Sequence, residues 1–342
     1  MTMSKILALL RSETLRNRTI PAPSARRELS FSSSTSTRIT TVLAGAKKLL
    51  IMLLLMPIVV DVMSVRADDF FGTSGPDNID GTDDDDNIFG KEGNDDLNGK
   101  DGDDYIEGNE GNDEIGDGLG SDNIWAGSGR DKVELETEES EGVVDEVHGG
   151  DGRDNIVNHG ESGFRLIFGG ENDDTISATG GDEGRIYGGS GNDQIDACCD
   201  SQYDVWGGSG NDDIEGSSEC ALVRAFGGAG NDKISSPDEF SSGGSGNDLI
   251  TFADCGGVAY GGSGNDEIRG GEQPVELHGD SGHDKLVGGF DDSNDEIFGD
   301  RGDDTLTGRE GADSFDCGPG RDTITDFDAG EGETKTADCE NF

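Results

Sequence analysis

From Gly72 onward, apolar side chains stand at every ninth place: Ile79, Ile88, Leu97, Ile106, Ile115, Ile124 and Val133. Between them lie Gly, Asp and Asn, so the units read GTSGPDNID, GTDDDDNIF, GKEGNDDLN and onward without a slip through AGSGRDKVE. The template is G-G-x-G-x-D-x-U-x, with U apolar. Gly at the early places permits positive φ and close backbone approach, which lets six residues make a tight turn. The last three residues then form a short strand whose eighth side chain points opposite to the seventh and ninth. One apolar residue in nine cannot make a core alone. Coiling the chain so that these residues stack does make one. Each coil takes two turns and two strands, ~18 residues, with neighbouring coils paired in parallel ~4.8 Å apart. The expected fold is all-β: a parallel β-roll, or β-solenoid, with two half-coils per turn.

Further units start near Gly149, Gly169, Gly188, Gly207, Gly227, Gly243, Gly261, Gly279, Phe290, Gly299, Gly308 and Cys317, which makes nineteen. In every one the sixth residue is Asp and the eighth is Ile, Leu, Val or Phe. Stacking the coils puts Asp on Asp. One edge carries Asp77, Asp95, Asp113, Asp131, Asp154, Asp174, Asp193, Asp212, Asp232, Asp248, Asp266, Asp284, Asp304 and Asp322. The other carries Asp86, Asp104 and Asp122, breaks, and resumes at Asp295 and Asp313. Two carboxylates ~5 Å apart repel by roughly 0.8 kcal/mol in water and ~3 kcal/mol at an effective dielectric of 20. Summed along an edge, this rivals the ~5–15 kcal/mol stability of a whole domain. A hard dication removes the problem. Stacked carboxylates and turn carbonyls suit Ca²⁺, which takes 6–8 oxygens flexibly, better than Mg²⁺ with its tight octahedron. Adjacent pairs set a ceiling of roughly 16 ions. The fourth-place Gly is replaced by Asp84, Asn172 and Ser293, so turn geometry there is open.

The units resemble the haemolysin-type (RTX) calcium-binding nonapeptide repeat of secreted bacterial toxins, metalloproteases and lipases. The resemblance implies a parallel β-roll with Ca²⁺ between the turns of each edge, and it assigns the metal to the sixth-place Asp of each unit.

Between Gly149 and Gly279 the motif returns every 16 to 20 residues. Linkers between isolated repeats would give this. A whole coil that keeps the motif on one edge and loses it on the other is the preferred reading. The motif-less half-coils then turn Val147, Ile167, Ile186, Val205, Ala225, Ala259 and Leu277 inward. The residues that follow them, Phe168, Tyr187, Trp206, Phe226, Tyr260 and His278, face outward and stack. That row is either an aromatic ladder bracing the sheet or a platform for a cell-surface glycan or a partner protein.

Composition changes the picture in one respect. A chain of 342 residues with 75 acidic and 25 basic side chains and 6% aromatics has the profile of disorder until its repeats are seen. The charge repels nucleic acid and anionic membranes and attracts cations. Residues 1–67 are the exception, with ten Lys/Arg against three Asp/Glu. There Lys47 and Lys48 precede the apolar run Leu49–Val60, and Val65-Arg66-Ala67 offers small residues for cleavage, the order of a secretory signal peptide. The run is short for a membrane span of ~20 residues, so cleavage after Ala67 is preferred to a retained anchor. The expected division is a leader at 1–67, regular repeats at 68–134, repeats alternating with motif-less half-coils at 135–278, regular repeats at 279–325 and a cap at 326–342.

Six Cys in an exported chain suggest disulfides. Cys317 with Cys339 would clamp the last coil. Cys199 (or Cys198) with Cys220 would bridge neighbouring coils, and free buried thiols are the alternative. No H-E-x-x-H or G-x-S-x-G occurs, and His148, His159, His278 and His283 are scattered. With repeats starting about five residues after the cleavage site, no effector domain is expected. The reading is a secreted, non-enzymatic calcium-binding protein with calcium-dependent folding and a structural or cell-surface role. A calcium-dependent adhesin or carbohydrate-binding module is the alternative, and a calcium-dependent hydrolase or toxin comes last.

Overall fold

A computed structural model describes residues 67–136, 143–159, 163–178, 183–197, 202–216, 224–235, 239–253, 256–290 and 292–339. The proposed signal segment, Cys198, Cys199, Cys220 and Cys255 lie outside these residues. Two parallel sheets run the length of the described chain, one of 16 strands and one of 14, and successive strands alternate between them apart from the short strand Arg301–Gly302, which joins the same sheet as the strand before it. The first sheet begins at Asp68–Phe71, followed by Asp86–Glu92 and Tyr105–Glu110; the second begins at Asn78–Asp80, Asp96–Asn98 and Glu114–Gly116. Each half-coil therefore supplies one strand to one sheet, as the nine-residue pattern predicts. Among the described residues no helix is long and apolar enough to cross a membrane.

The core is two columns of side chains facing each other between the sheets. In the second sheet, Ile79 pairs in register with Leu97, Leu97 with Ile115 and Ile115 with Val133, and the column runs on through Ile156, Ile176, Ile195 and Ile214 to Ile324. In the first sheet, Ile88, Ile106, Ile124, Val147, Ile167, Ile186 and Val205 stack in the same way and are fully buried. Burying one Ile contributes ~2 kcal/mol, a thin return for each coil of chain that must be ordered. β-branched residues suit the task because their stiff χ1 packs well on a pleated surface. The motif-less half-coils turn inward the residues that their spacing predicts.

The outward row is a ladder of rings. His148, Phe168, Tyr187, Trp206 and Phe226 stack with centroids 4.5–5.4 Å apart and planes within 9°. Trp125 extends it on one side at 3.8 Å, and Tyr260, His278 and Phe298 continue it on the other at 4.5 and 4.4 Å. Ser242 holds the intervening rung, and Phe240 fills the gap with a tilted ring 5.4 Å from Phe226 and 5.6 Å from Tyr260.

At the C-terminus, Cys317 and Cys339 form a disulfide. The strand Thr334–Lys335 pairs with Ser314–Asp316 and closes the first sheet. Phe327 packs edge-on against Phe315, so the tail covers the end of the core.

Candidate calcium rows

The turns that join the two sheets carry the sixth-place aspartates, and the structure brings them together in the order the spacing predicts. Asp77 donates its backbone N–H to the Oδ1 of Asp95 at 2.8 Å, and Asp95 does the same to Asp113 at 2.8 Å. The chain of bonds passes through Asp131, Asp154, Asp174, Asp193, Asp212, Asp232, Asp248, Asp266, Asp284 and Asp304 to Asp322 without a break. The steps are 16 to 23 residues long, so coils of unequal length still deliver their Asp to one row. On the other edge Asp86 bonds Asp104, Asp104 bonds Asp122, and Asp295 separately bonds Asp313.

One carboxylate oxygen of each rung is thus used to tie two turns together. The other is left over. Oδ2 of Asp95, Asp104, Asp113, Asp122, Asp131, Asp154, Asp174, Asp193, Asp212, Asp232, Asp248, Asp266, Asp284, Asp304 and Asp313 is buried with no hydrogen-bond partner. An unsatisfied buried polar atom costs ~1–3 kcal/mol, and here fifteen recur in register. Except at Asp122 and Asp131, whose units open with Asp117 and Ala126, the space beside each is kept open by the unit's first glycine. A Cβ on Gly90 would lie 2.5 Å from Asp95 Oδ2 and 2.9 Å from the carbonyl of Gly108 in the next coil; one on Gly261 would lie 2.6 Å from Asp266 Oδ2 and 2.9 Å from the Gly279 carbonyl. Each cradle therefore gathers a carboxylate oxygen and a carbonyl oxygen from adjacent coils, an all-oxygen donor set of the kind a hard cation takes.

The electrostatics agree. Burial pushes the carboxyl of Asp122 up to about 9, against the bond from the Asp104 N–H and helped by the carboxylates of Asp117, Asp145 and Asp104. Burial likewise lifts Asp174 to about 8 and Asp131, Asp212, Asp248 and Asp284 to about 7, with neighbouring rung carboxylates adding to it in each case. These groups resist ionisation in place, and a dication beside them reverses that preference.

Three features were not legible in the repeat. The broken edge extends one rung further than the motif: Asp122 donates its N–H to Asp145 at 2.9 Å, and Asp145 pairs with the fully buried Arg165 at 2.9 Å. Asp145 lies in a half-coil that lacks the glycine motif, so only the pairing register reveals it. Asp117, standing where other units have their first Gly, joins Asp122 and Asp145 in a buried cluster. The unit placed at Phe290 has its first glycine two residues earlier: a Cβ on Gly288 would meet Asp295 Oδ2 and the Gly308 carbonyl, so this turn is longer than the template. Asn172, by contrast, takes φ +77° and does the work of the glycine it replaces.

A search of curated proteins finds no significant match. Among solved structures, the X-ray crystal structure of a hyperactive, Ca²⁺-dependent, β-helical antifreeze protein from an Antarctic bacterium is similar at 21% identity and a TM-score of 0.45, covering 74% of this chain and 85% of that one. The sequence profile of the RTX calcium-binding nonapeptide repeat matches residues 65–97, 98–133, 159–183, 185–197, 205–218, 260–293 and 291–324, more than half of the chain. With its repeats stacked into a β-solenoid and its carboxylates in rows, this chain belongs to the RTX calcium-binding nonapeptide repeat family.

Proposed function

We propose that the protein is an exported scaffold whose folding is driven by extracellular calcium, with a structural or cell-surface role. The observation that carries this reading is the register of buried, partnerless Oδ2 atoms along both edges. The sixth-place Asp carboxylates, with the first-glycine carbonyls of the next coil, would hold the ions. Calcium supplies the positive charge that lets stacked carboxylates stay ionised side by side. Without it the chain must either protonate these groups or separate them, and the narrow core cannot hold the coils together against that. The chain is therefore largely unfolded at low calcium, as inside a cell, and folds at the ~millimolar calcium outside. The leader's charge and hydropathy order supports export.

The role is structural rather than enzymatic, because the repeated carboxylates that could act as acid or base are committed to the rows. The ring ladder supports the same view. Recognition of sugars uses exposed ring faces, and here the faces are turned on one another, which leaves solvent the ring edges and, at the end of the stack, the 43% exposed Trp125.

A calcium titration of the full chain, followed by far-UV circular dichroism and calorimetry, tests the reading. A cooperative coil-to-β transition with on the order of ten ions is expected. Equal spectra in excess chelator and in excess calcium would refute it.

A further inference from the structure

Three turns differ from all the other motif turns. In sixteen of the nineteen units the second residue lies at positive φ, whether it is glycine, as Gly150 at +107°, or not, as Lys91 at +84°. The exceptions are Thr73, Thr82 and Gly289. They open the row at Asp77, the row at Asp86 and the resumed row at Asp295. Gly75 and Asp84, the fourth residues of the first two turns, and Ser293, two residues before Asp295 in the longer third turn, also lie outside the left-handed region. The consequence is chemical. The second residue, no longer turned away, donates its N–H to the turn's own aspartate: Thr73 to Asp77 Oδ2 at 2.5 Å, Thr82 to Asp86 Oδ2 at 2.6 Å and Gly289 to Asp295 Oδ2 at 2.7 Å. The Thr73 and Thr82 hydroxyls add bonds of 2.9 and 3.0 Å to the same atoms. The oxygen left bare along the interior of the rows is covered at each row start.

A second observation concerns the first-glycine carbonyl of the same turns. Inside a row this carbonyl faces the cradle of the preceding coil, but a row start has no preceding motif turn. In each case a side-chain cation from the second place of the next unit in the same row, one coil on, reaches back to it: Lys91 Nζ to Gly72 O at 2.6 Å, Lys100 Nζ to Gly81 O at 2.6 Å, and an Arg309 guanidinium nitrogen to Gly288 O at 3.0 Å. Two of these cations also sit over exposed rings, Lys91 over Phe71 at 5.5 Å and Arg309 over Phe290 at 3.6 Å.

We infer that the first turn of each row takes no calcium: its aspartate is closed by N–H and hydroxyl donors, and a tethered Lys or Arg supplies the positive charge at the row's open end. The inference rests on the calcium reading of the rows. A dication needs oxygens with accessible lone pairs, and a donor hydrogen lying on Oδ2 presents positive charge where the ion would have to approach. The calcium ceiling falls from roughly 16 to roughly 13. Asp77, Asp86 and Asp295 stand at the motif's sixth place like every other row aspartate and yet hold no metal.

Native mass spectrometry of the full chain at saturating calcium counts bound ions as integers and separates the two kinds of aspartate. Asn removes the charge and keeps one acceptor oxygen, which can take the Oδ1 place in an interior turn and, at Asp77, the Oδ2 place beside the Thr73 N–H and hydroxyl. The Asp77→Asn/Asp86→Asn/Asp295→Asn variant is expected to hold as many ions as the parent chain and to fold at the same calcium midpoint. The matched interior variant, Asp95→Asn/Asp104→Asn/Asp266→Asn, is expected to lose ions and to raise the midpoint several-fold. Loss of ions from the row-start variant overturns the inference while leaving the calcium rows intact. Should neither variant change the count, the calcium reading of the rows fails and takes this inference with it. If the row-start variant folds poorly, the calcium midpoint of Asp77→Asn alone, read by circular dichroism, is decisive in the same way.

Discussion

Substituting Asp174 by Asn should move the calcium-free and the calcium-bound stabilities in opposite directions. Asp174 lies in the middle of the long row, is 2% exposed, accepts the Asp154 N–H at 2.8 Å through Oδ1 and has a partnerless Oδ2. Burial, with the carboxylates of Asp154, Asp193 and Asp173, lifts its carboxyl from 3.8 to about 8. At pH 7 the metal-free roll must keep this group protonated, at ~1.4 kcal/mol for each pH unit above the unfolded value, a ceiling of ~4 kcal/mol. The turn is close to solvent, and screening reduces the figure to ~2 kcal/mol. Asn removes that cost, keeps the Oδ1 acceptor, and turns an amide N–H toward the Gly188 carbonyl that lines the same cradle. With calcium present, the variant lacks a charged ligand, which should weaken the ion it touches by ~10–100-fold, or ~1.4–2.8 kcal/mol. The assay is paired. In chelator, folding is driven with an excluded osmolyte and its midpoint is read by circular dichroism; in a second series the calcium midpoint is measured. Asp174→Asn should fold at lower osmolyte and need more calcium. Destabilisation in both series would refute the reasoning, since it would make the carboxylate a structural hydrogen-bonding group and nothing more.

Three other outcomes follow from the same geometry. Carboxyls held at about 6 to 9, among them Asp104, Asp131, Asp174 and Asp122, have folded values above the unfolded 3.8, so their contribution is full below that pH and is lost as pH rises through the folded values; the chelated chain should gain β signal in dilute solution between pH 8 and pH 5, while excess calcium flattens the dependence, and a pH-independent chelated spectrum would contradict this. Trp206→Ala removes stacks of 4.6 Å with Tyr187 and 5.4 Å with Phe226 and should cost ~1–3 kcal/mol in the calcium-bound state; unchanged denaturant stability would mean that the ladder does not brace the sheet. Opening the Cys317–Cys339 bridge, which closes a 22-residue separation, should cost ~3 kcal/mol and expose the strand Thr334–Lys335 to hydrogen exchange, whereas unaltered exchange there would show the cap to be held by packing alone.

The sequence by itself determined the repeat unit, the coil, the inward columns, the outward rings and the order of Asp along each edge. All are consequences of a local pattern: nine residues specify a turn and a strand, and identical units can stack in only one register, because a one-residue slip would bury charges and expose the Ile column. Only the tertiary structure decided what happens where that pattern meets an end. Asp145 joins a row from a half-coil without a motif, 23 residues after its neighbour, because pairing places it opposite Asp122. Asn158 and Tyr203 form a 2.8 Å hydrogen bond across 45 residues inside the roll, which no nearby residue signals. Thr73, Thr82 and Gly289 donate to the aspartates of their own turns, the three that have no motif turn stacked before them. A repeat reports what each unit does between identical neighbours. Which units lack such a neighbour, and which side chains fill the place, is settled by contacts a whole coil away, and no window of nine residues contains them.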